Sequence, residues 1–413
     1  MSYREYDSSR DLAAIKQIWK ECGWIDDDEE GELIKPFFAD GDAIVATIDD
    51  VPECSVLGTA GTICYQDDEL ELGAVAAVTT SHLARQSGFA KKLTARMLAR
   101  QADAGYAVSA LGMFDQGFYD KVGFGTGCYE TLTTFDPTTL NIQQSFRPPK
   151  RLSTRDYKAI HQAMLNRRMN HGAVCLNPES TIEAELKWQE KPFGMGYFDG
   201  PGGSLSHFIF GEMKGENGPY RINWRAYQTT EQLMELLALI KSLGDQVSVI
   251  STLEFSEFQL QDLLDKPFRN RRSSRLGQFV QESKAIAYWQ LRILDLQLCI
   301  NAMSVDLPVS FNLTLSDPVT EHLAATEALS TGNWTGIGGE YAIHLSESSF
   351  VEDGHQQGLP ELKASVNALS RLWLGVAPAT NLAITDEITG DQRLLQQLDR
   401  SINLPRPHLG WDF

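Results

Sequence analysis

The feature that most constrains the fold of this chain is a strand, a glycine turn and a helix that follow one another. Residues 70–80 form an apolar run of β-branched and small residues, which is typical of a buried strand. The turn after it holds Arg85, Gly88 and Ala90, and a strongly helical segment then runs to about residue 104. Glycine lets a backbone approach a ligand closely, and the first N–H groups of a helix have no partner within it. The turn can therefore hold a pyrophosphate, although an ordinary strand-to-helix turn has the same pattern.

A second motif lies further along the chain. Residues 106–111 predict a short strand, and Phe118, Tyr119, Gly123 and Phe124 after it predict a short helix that leads into a glycine turn.

The elements before the first motif are a helix and two strands. Residues 9–22 place apolar side chains at helical spacing, with Ser8 or Ser9 as the expected N-cap. Residues 42–48 and 55–64 are rich in β-branched residues, and turn residues between them favour antiparallel pairing.

The length of the chain predicts more than one domain. At roughly 100–200 residues per domain, 413 residues divide into two to four, and we expect three. Two prolines beside two basic residues at 148–151 predict an exposed linker. The predicted domains are residues 1–147, 148–285 and 286–413.

The second unit repeats the general pattern of the first but lacks its glycine turn. Its predicted elements are a helix at 154–168, strands at 203–213 and 220–227, a helix at 230–243 and a strand at 246–253. A strand at 129–135 is predicted to close the first unit. The third unit is predicted to contain a buried helix or strand at 288–303, strands at 309–315 and 341–344, and helices at 359–374 and 389–403.

Composition excludes several classes of protein. Asp and Glu number 55 against 36 Lys and Arg, and the resulting charge of −19 argues against a nucleic-acid-coating surface. The six cysteines are scattered, and neither they nor the histidines show metal-site spacing, so we expect no metal and no disulfide framework. The polar N-terminus and short apolar runs indicate a cytoplasmic protein without membrane insertion.

The two ordered motifs resemble those of the GCN5-related N-acetyltransferase (GNAT) superfamily. The whole chain further resembles the enhanced-intracellular-survival (Eis) family of acetyltransferases, through the motif pair and residues 291–295, 372–375 and 410–413. The resemblance implies a fold of mixed α/β and α+β class. It consists of tandem GNAT folds, the N-terminal one active and the second degenerate and structural, followed by a sterol-carrier-protein-like domain. It also implies a homo-oligomer, a hexamer, and acetyl-CoA as co-substrate.

The resemblance assigns two catalytic roles. Tyr119 is expected to be the general acid that protonates the departing thiolate, for which an unperturbed pKa of roughly 10 is suitable. The alternative is a buried aromatic under the glycine turn. The C-terminal carboxylate of Phe413 is expected to be the general base that takes a proton from the amine, the alternative being a frayed tail.

The cofactor residues implied by the resemblance follow the first motif. Val78 and Thr80 would offer backbone N–H groups to the pantetheine arm and the oxyanion. The backbone of the turn would bind pyrophosphate at Arg85, Gly88, Phe89 and Ala90. The chain departs from the family at Gln86 and Ser87, where many relatives carry arginines, so coenzyme A affinity is in doubt. Lys91 would meet the phosphates instead, unless it belongs to a solvated helix face.

Substrate residues are predicted from an acidic stretch beside aromatic side chains. Trp24, Asp26 and Phe37 resemble the family's substrate-lining region, and Asp412 would hold the ammonium group, because carboxylates and aromatic faces attract cations. A solvated acidic loop is the alternative for Asp26 and its neighbours.

We therefore expect acetyl transfer from acetyl-CoA to a primary amine, on a cationic small molecule or a lysine side chain, by direct attack. The rival interpretation is a non-catalytic CoA- or lipid-binding protein that uses its sterol-carrier-like domain.

Overall fold

The first third of the chain folds as helices and strands in alternation. The computed structural model describes residues 1–26, 30–267 and 282–411 of the chain. The elements of the first part are β1 (Ser2–Glu5), α1 (Ser8–Cys22), α2 (Ile34–Ala39), β2 (Asp42–Ile48), β3 (Val51–Tyr65), β4 (Asp68–Thr80), α3 (Phe89–Asp103), β5 (Val108–Gly112), α4 (Gln116–Tyr119) and β6 (Gly125–Thr126).

The middle of the chain repeats a mixture of strands and helices. Its elements are β7 (Glu130–Phe135), β8 (Lys150–Leu152), α5 (Tyr157–Leu165), β9 (Val174–Leu176), α6 (Glu179–Lys187), β10 (Pro192–Tyr197), β11 (His207–Met213), β12 (Tyr220–Ala226), α7 (Thr230–Ser242), β13 (Ile250–Leu253) and β14 (Glu282–Ile286).

The last part combines a smaller group of strands with short helices. Its elements are β15 (Trp289–Ile293), α8 (Leu296–Asn301), β16 (Val309–Ser316), α9 (Thr320–Leu323), β17 (Gly339–Leu345), β18 (Phe350–Asp353), β19 (Glu361–Ser365), α10 (Val366–Trp373), α11 (Ala379–Thr385), β20 (Ile388–Gly390) and α12 (Gln392–Ser401).

Three sheets organise these elements. The first has the order β1-β2-β3-β4-β5-β15-β6, with β9 paired to β3, and the second has the order β14-β7-β13-β12-β11-β10-β8. The third has the order β18-β17-β16-β19-β20. In the first sheet β4 and β5 are parallel neighbours joined by α3, and in the second β12 and β13 are parallel neighbours joined by α7. The second sheet therefore repeats the crossover of the first.

Two strands pair in a sheet that lies on the other side of a predicted domain boundary. β7, which lies before the predicted boundary after residue 147, pairs with β13 and β14 in the second sheet. β15, which lies after the boundary at 286, pairs with β5 and β6 in the first sheet. The boundaries themselves stay predictions, and the hydrogen bonding shows that the units share strands.

The core of the first unit follows from alternation along its strands. Ile44 and Ala46 of β2 face the cluster that includes Leu93 of α3, whereas Ala43 and Val45 face the cluster that includes Ile18 of α1. Successive strand residues point to opposite faces, so α3 covers one face of the sheet and α1 with α2 covers the other. This arrangement leaves the cleft between β4 and β5 bordered by helices of both layers.

Some predicted elements need correction. Asp7, not Ser8 or Ser9, caps α1, because its extended backbone lets the carboxylate accept the Ser9 N–H at 2.9 Å. Residues 288–303, which were predicted as a buried helix or strand, contain one of each, since β15 leads into α8. Residues 359–374 are not one helix, because β19 pairs in parallel with β16 before α10 begins.

None of the helices in the described part of the chain is long and apolar enough to cross a lipid bilayer.

Candidate active site

A break between two parallel strands creates the site. β4 and β5 pair from Leu72↔Val108 to Ala74↔Ala110, whereas β4 continues to Thr80. A β-bulge against β3 lies in the continuing part, where Ala77 adopts a positive φ of 49°. A bulge increases local twist and bends its strand, so the carboxyl ends of β4 and β5 separate. The gap leaves backbone groups of β4 facing a cavity.

Alternation along β4 identifies the N–H groups that face this gap. The N–H of Ser81 donates to the carbonyl of Glu53 in the β3 direction at 2.9 Å. Since N–H directions alternate along a strand, Thr80 directs its N–H toward the opposite, open edge. Val78 lies in the bulge, where this alternation is interrupted, and it lines the cavity. These are the two positions predicted for the pantetheine arm and the oxyanion, and both roles stay predictions.

The turn before α3 has the features of an anion site. Gly88 precedes the helix with φ +79°, and no side chain caps the helix. The first backbone donor in α3 is Lys92, which bonds the Gly88 carbonyl at 3.2 Å. The N–H groups of Phe89, Ala90 and Lys91 therefore precede the intrahelical ladder and carry the positive end of the helix dipole.

The side chains of the turn separate into one anchor and several exposed groups. Phe89 is buried and contacts the ring of Tyr3 edge-on, with 5.8 Å between centroids, which fixes the start of α3 in the core. Arg85 and Gly88 are exposed. The structure thus leaves the backbone of the turn accessible while its first helical residue holds it in place.

A helix of the third unit lies beside α3. The Arg96 guanidinium of α3 donates to Thr326 Oγ1 and the Leu323 carbonyl, at 3.1 and 3.0 Å. Burial lowers the pKa of His322 in α9, and the charges of Lys91 and Lys92 lower it further. The third unit therefore contributes to the surroundings of the predicted phosphate-binding lysine.

Tyr119 lies at the end of α4 under a set of aromatic rings. Its ring contacts Phe118 edge-on at 4.9 Å and Phe114 at 5.9 Å between centroids. Burial raises the pKa of Tyr119 well above its usual value near 10, and the negative charge of Asp115 adds to this effect. Tyr119 lines the cavity between β4 and β5, and its burial keeps the hydroxyl protonated at neutral pH.

Residues of the third unit hold the turn that carries Tyr119. Asn367 donates its amide to the carbonyls of Asp120 and Phe124, at 2.9 and 2.7 Å. Arg292 donates to the Val122 carbonyl at 2.5 Å and forms a fully buried ion pair with Asp317 at 2.7 Å. The position of the predicted acid therefore depends on the third unit as well as the first.

A cavity of about 440 Å³ lies between the ends of β4 and β5 and beside Tyr119. Residues of both the first and the second unit line it, together with Tyr288 before β15: Trp19, Trp24, Phe37, Val75, Ala76, Ala77, Val78, Gly112, Met113, Phe114, Tyr119, Glu185, Trp188 and Tyr288. Four predicted site residues, Tyr119, Val78, Trp24 and Phe37, thus meet in one cavity.

The sequence interpretation missed two residues of this wall. Glu185 of α6 and Trp188 directly after it come from the second unit, where α6 packs against α2. The second unit was expected to be structural, which stays a prediction, and its residues also close one side of the cavity. A single aromatic beside charged residues has no periodic signal, so the sequence offered no sign of this role.

The remaining predicted residues lie elsewhere or outside the described chain. Asp26 is exposed and is not part of the cavity wall that the described residues form. Asp412 and Phe413 lie outside the described residues, so their roles stay predictions. Trp411 before them is buried and contacts Trp224 edge-on at 5.7 Å, and the Val174 N–H bonds the Leu409 carbonyl at 2.9 Å. The chain is docked as far as Trp411.

Two thiols near the cleft are poor nucleophiles. Burial raises the pKa of Cys54, which accepts a hydrogen bond from Thr80 at 3.2 Å, to about 12. Burial also raises the pKa of Cys22, whose sulfur lies 3.8 Å from the Thr80 carbonyl oxygen. Both stay protonated at neutral pH, and a thiol attacks a thioester as its thiolate. Their chemistry gives no support to a covalent acetyl-enzyme.

The equivalent turn of the second unit cannot hold a phosphate in the same way. The Thr229 hydroxyl accepts the Gln232 N–H at 3.3 Å, and the Gln232 side chain accepts the Gln228 N–H at 2.7 Å. Glu231 adds a negative charge to the first turn of α7. The donors are satisfied within the chain and an anion would be repelled, which explains why this copy is degenerate.

Comparison with known proteins agrees with this geometry. Residues 2–127 match the acetyltransferase (GNAT) domain family, and residues 304–410 match the sterol carrier protein domain family. No curated protein matches the chain in sequence. The chain therefore contains an acetyltransferase domain of the GNAT type at its N-terminal end and a sterol carrier protein domain at its C-terminal end.

Solved structures extend the likeness over the whole chain. A probable N-acyltransferase of Enterococcus faecalis has 17% identity and a TM-score of 0.78, and covers 100% of this chain and 99% of its own. A GCN5-related N-acetyltransferase of Anabaena variabilis and Eis1 of Mycobacterium abscessus each have 14% identity, with TM-scores of 0.77 and 0.76 and complete coverage of both chains. The chain thus shares the fold of these proteins over its whole length, and it contains a GNAT domain and a sterol carrier protein domain. The predicted fold class of tandem GNAT folds followed by a sterol-carrier-like domain is confirmed.

Proposed function

We propose that this chain is an acetyl-CoA-dependent N-acetyltransferase that acts on a primary amine of a cationic small molecule or a lysine side chain. The observation that supports the proposal is the gap between β4 and β5, where Tyr119 and the end of β4 line one cavity and β4 leads into the turn before the uncapped start of α3. A pyrophosphate at α3 and a thioester near Tyr119 would lie at the two ends of the pantetheine arm of acyl-CoA, which would follow the open edge of β4.

The chemical step we propose is direct attack of the neutral amine nitrogen on the thioester carbonyl carbon. The carbon–sulfur bond then breaks, the sulfur leaves with its electron pair, and the Tyr119 hydroxyl gives it a proton. Backbone N–H groups at Val78 and Thr80 stabilise the oxyanion that forms between these events. The nitrogen, which is positively charged after the attack, loses its extra proton to solvent to give the neutral amide, and solvent restores the proton of Tyr119.

The amine must lose a proton before it attacks, because alkylamines are protonated at neutral pH. We keep the C-terminal carboxylate of Phe413 as the proposed base and Asp412 as a proposed ammonium contact, from the family resemblance. Arg85, Gly88, Phe89, Ala90 and Lys91 are the proposed pyrophosphate contacts. A homo-oligomer, a hexamer by the same resemblance, is the proposed assembly, to be checked by light scattering of the purified protein.

The experiment that tests the function measures thiol release from acetyl-CoA by the untagged protein. The acceptors are polyamines, aminoglycosides and lysine peptides, and coenzyme A binding is measured in parallel by calorimetry. Release that depends on an added amine is the expected result. Coenzyme A binding without release with any amine would favour the rival, a CoA- or lipid-binding protein.

A further inference from the structure

A helix of the third unit holds the segment that follows Tyr119, residues 120–124, which we call the Tyr119 turn. The Asn367 amide of α10 donates to the carbonyls of Asp120 and Phe124, at the two ends of this turn. The Phe124 N–H donates to the Tyr119 carbonyl at 3.3 Å, and the two rings lie 6.2 Å apart at 77°. Asn367 therefore holds both the residue after Tyr119 and the residue whose ring packs on it.

Two glycines of the second sequence motif make room for this helix. A Cβ added at Gly125 would overlap the carbonyl oxygen of Asn367, and one added at Gly123 would lie 2.7 Å from Val366 Cγ1. Both separations are shorter than van der Waals contact, so a side chain at either position would displace α10 or the turn. These glycines thus permit close contact with the third unit, a role that the sequence interpretation missed.

The position of Asn367 is itself set by a junction between a strand and a helix. β19 pairs in parallel with β16 as far as Ser316↔Ser365, and Ser365 then caps α10 by accepting the Ala368 N–H at 3.3 Å. An N-cap of this kind fixes where a helix begins, and Asn367 is the second residue of α10. The amide that holds the Tyr119 turn is therefore carried by regular structure of the third unit.

We propose that Asn367 is a positioning residue for acyl transfer, which sets the distance between the Tyr119 hydroxyl and the leaving sulfur. It does not touch the reacting atoms and acts through the Tyr119 turn. A small displacement of a proton donor slows the chemical step, because proton transfer requires heavy atoms within hydrogen-bond reach. The proposal rests on the acetyl transfer proposed above and names a residue of the third unit on which its acid depends.

The experiment replaces the amide and measures kcat in the full-length protein. Asn367→Ser removes both hydrogen bonds and should lower kcat for amine-dependent thiol release about fivefold, with KM for acetyl-CoA unchanged, because the phosphate turn is not touched. Asn367→Gln keeps an amide on α10, displaced by one methylene, and should lose less than Asn367→Ser. An unchanged kcat in Asn367→Ser would overturn the proposal.

Asn312→Ser is the matched control in the same unit. Asn312 is 2% exposed, and its amide also donates to two acceptors, the Gln356 carbonyl at 2.9 Å and Glu361 Oε1 at 2.8 Å. None of these residues belongs to the Tyr119 turn. The control should lower Tm at least as much as Asn367→Ser and keep the wild-type kcat. Equal falls in kcat would assign the effect to lost stability and overturn the proposal.

A double-mutant cycle separates positioning from a general weakening of the fold. If Asn367 acts through the Tyr119 hydroxyl, Asn367→Ser should lower kcat little further in a Tyr119→Phe protein, which has already lost the acid. A residue that only maintains the fold would lower kcat by the same factor in both backgrounds, and that result would also overturn the proposal.

Hydrogen exchange distinguishes failure of this proposal from failure of the proposed function. Asn367→Ser should speed amide exchange in peptides that cover residues 117–126, whereas Asn312→Ser should not. Faster exchange without thiol release by the wild type with any amine would reject acetyl transfer, and the proposal with it, while confirming that Asn367 holds the turn. Amine-dependent release with unchanged exchange and kcat in Asn367→Ser would retain acetyl transfer and reject the positioning role.

Discussion

At the scale of single residues, Tyr119 has the surroundings that matter most for the chemistry. Its ring is packed among Phe114, Phe118 and Phe124, and the residue lines the cavity. Burial keeps its pKa above its usual value, so the hydroxyl remains an acid across the neutral and moderately alkaline range.

Replacing Tyr119 with Phe tests this assignment. Tyr119→Phe should lower kcat roughly tenfold or more with little change in coenzyme A affinity, because the ring packing is kept and the proton donor is lost. Steady-state kinetics and calorimetry measure the two effects. In the wild type, the raised pKa of Tyr119 predicts no loss of activity from its ionisation below about pH 10. Unchanged kcat in the variant would remove Tyr119 as the acid.

Glu130 is a second residue whose environment changes its protonation. It is 4% exposed, its Oε2 lies 3.5 Å from His408 Nε2, and burial raises its pKa from 4.5 to about 7. The positive charges of Arg406 and Arg225 and a hydrogen bond from the Leu409 N–H oppose this shift. Glu130 thus faces the docked C-terminal segment as a carboxyl that is partly neutral near pH 7.

The raised pKa of Glu130 predicts a pH dependence of stability. The stabilising contribution of the neutral Glu130 carboxyl to the free energy of unfolding is fully present below pH 4.5, the pKa of this group in the unfolded chain. It is lost as the pH rises through about 7, the pKa in the folded protein. Glu130→Gln resembles the neutral carboxyl at every pH, so its stability relative to wild type should rise by about 2–3 kcal/mol between pH 5 and pH 8. Chemical denaturation at both pH values measures the change. The lowered pKa of His408, about 4, affects the stability of both proteins in the opposite direction, and most of its effect cancels when the variant is compared with the wild type at the same pH. A stability difference between Glu130→Gln and wild type that is the same at pH 5 and pH 8 would contradict the account.

At the scale of elements, the two crossover helices show how capping decides a ligand site. α3 begins after Gly88 without a side-chain cap, whereas α7 is capped by Thr229 and carries Glu231 in its first turn. The same strand–helix–strand arrangement therefore leaves donors available in one copy and satisfied in the other.

Gly88→Ala tests the phosphate turn. The new Cβ would meet only Lys92 Cε at 4.0 Å, so the cost comes from φ +79°, at about 1–2 kcal/mol, and relief of that strain would tilt the helix N–H groups. We expect a lower Tm together with weaker coenzyme A binding.

Gly105→Ala is the matched control for this change. Gly105 has φ +89° with nothing within 4 Å of an added Cβ, and it lies beyond the other end of α3. It should lose similar stability and keep coenzyme A affinity. Equal losses of affinity in both variants would mean that the turn binds no part of the cofactor.

Local patterns predicted elements well where apolar periodicity was strong. Residues 42–48 coincide with β2, and the helix predicted to begin after the glycine turn is α3. Residues 359–374 were predicted as one helix because a short strand and an amphipathic helix join there without a turn signal, and only pairing with β16 separates β19 from α10. Register and partner strands depend on distant residues, which a local pattern does not contain.

At the scale of the whole molecule, the site belongs to all three units. The first supplies Tyr119 and the β4 edge, the second supplies Glu185 and Trp188, and the third holds the Tyr119 turn through Asn367. The motif residues were predictable from sequence because each motif is local. Trp188 and Asn367 were not, because their roles exist only once α6 and α10 pack against the first unit.

The docked C-terminal segment leads to a prediction about the base. Trp411 is buried against Trp224, so the predicted carboxylate at Phe413 follows an anchored residue. A short extension after Phe413 replaces that carboxylate with a peptide group and should abolish amine-dependent thiol release. Coenzyme A binding and the thermal transition should be unchanged. Full activity in the extended protein would assign the base to another group.

The measurement that tests the central claim most directly is mass spectrometry of a reaction containing acetyl-CoA and an accepted amine. The account predicts that the amine gains the mass of one acetyl group in step with coenzyme A release, while the protein gains none. An acetyl group found on the protein as an intermediate, or acetyl-CoA that binds and is recovered intact with every amine, would contradict direct transfer in this cleft.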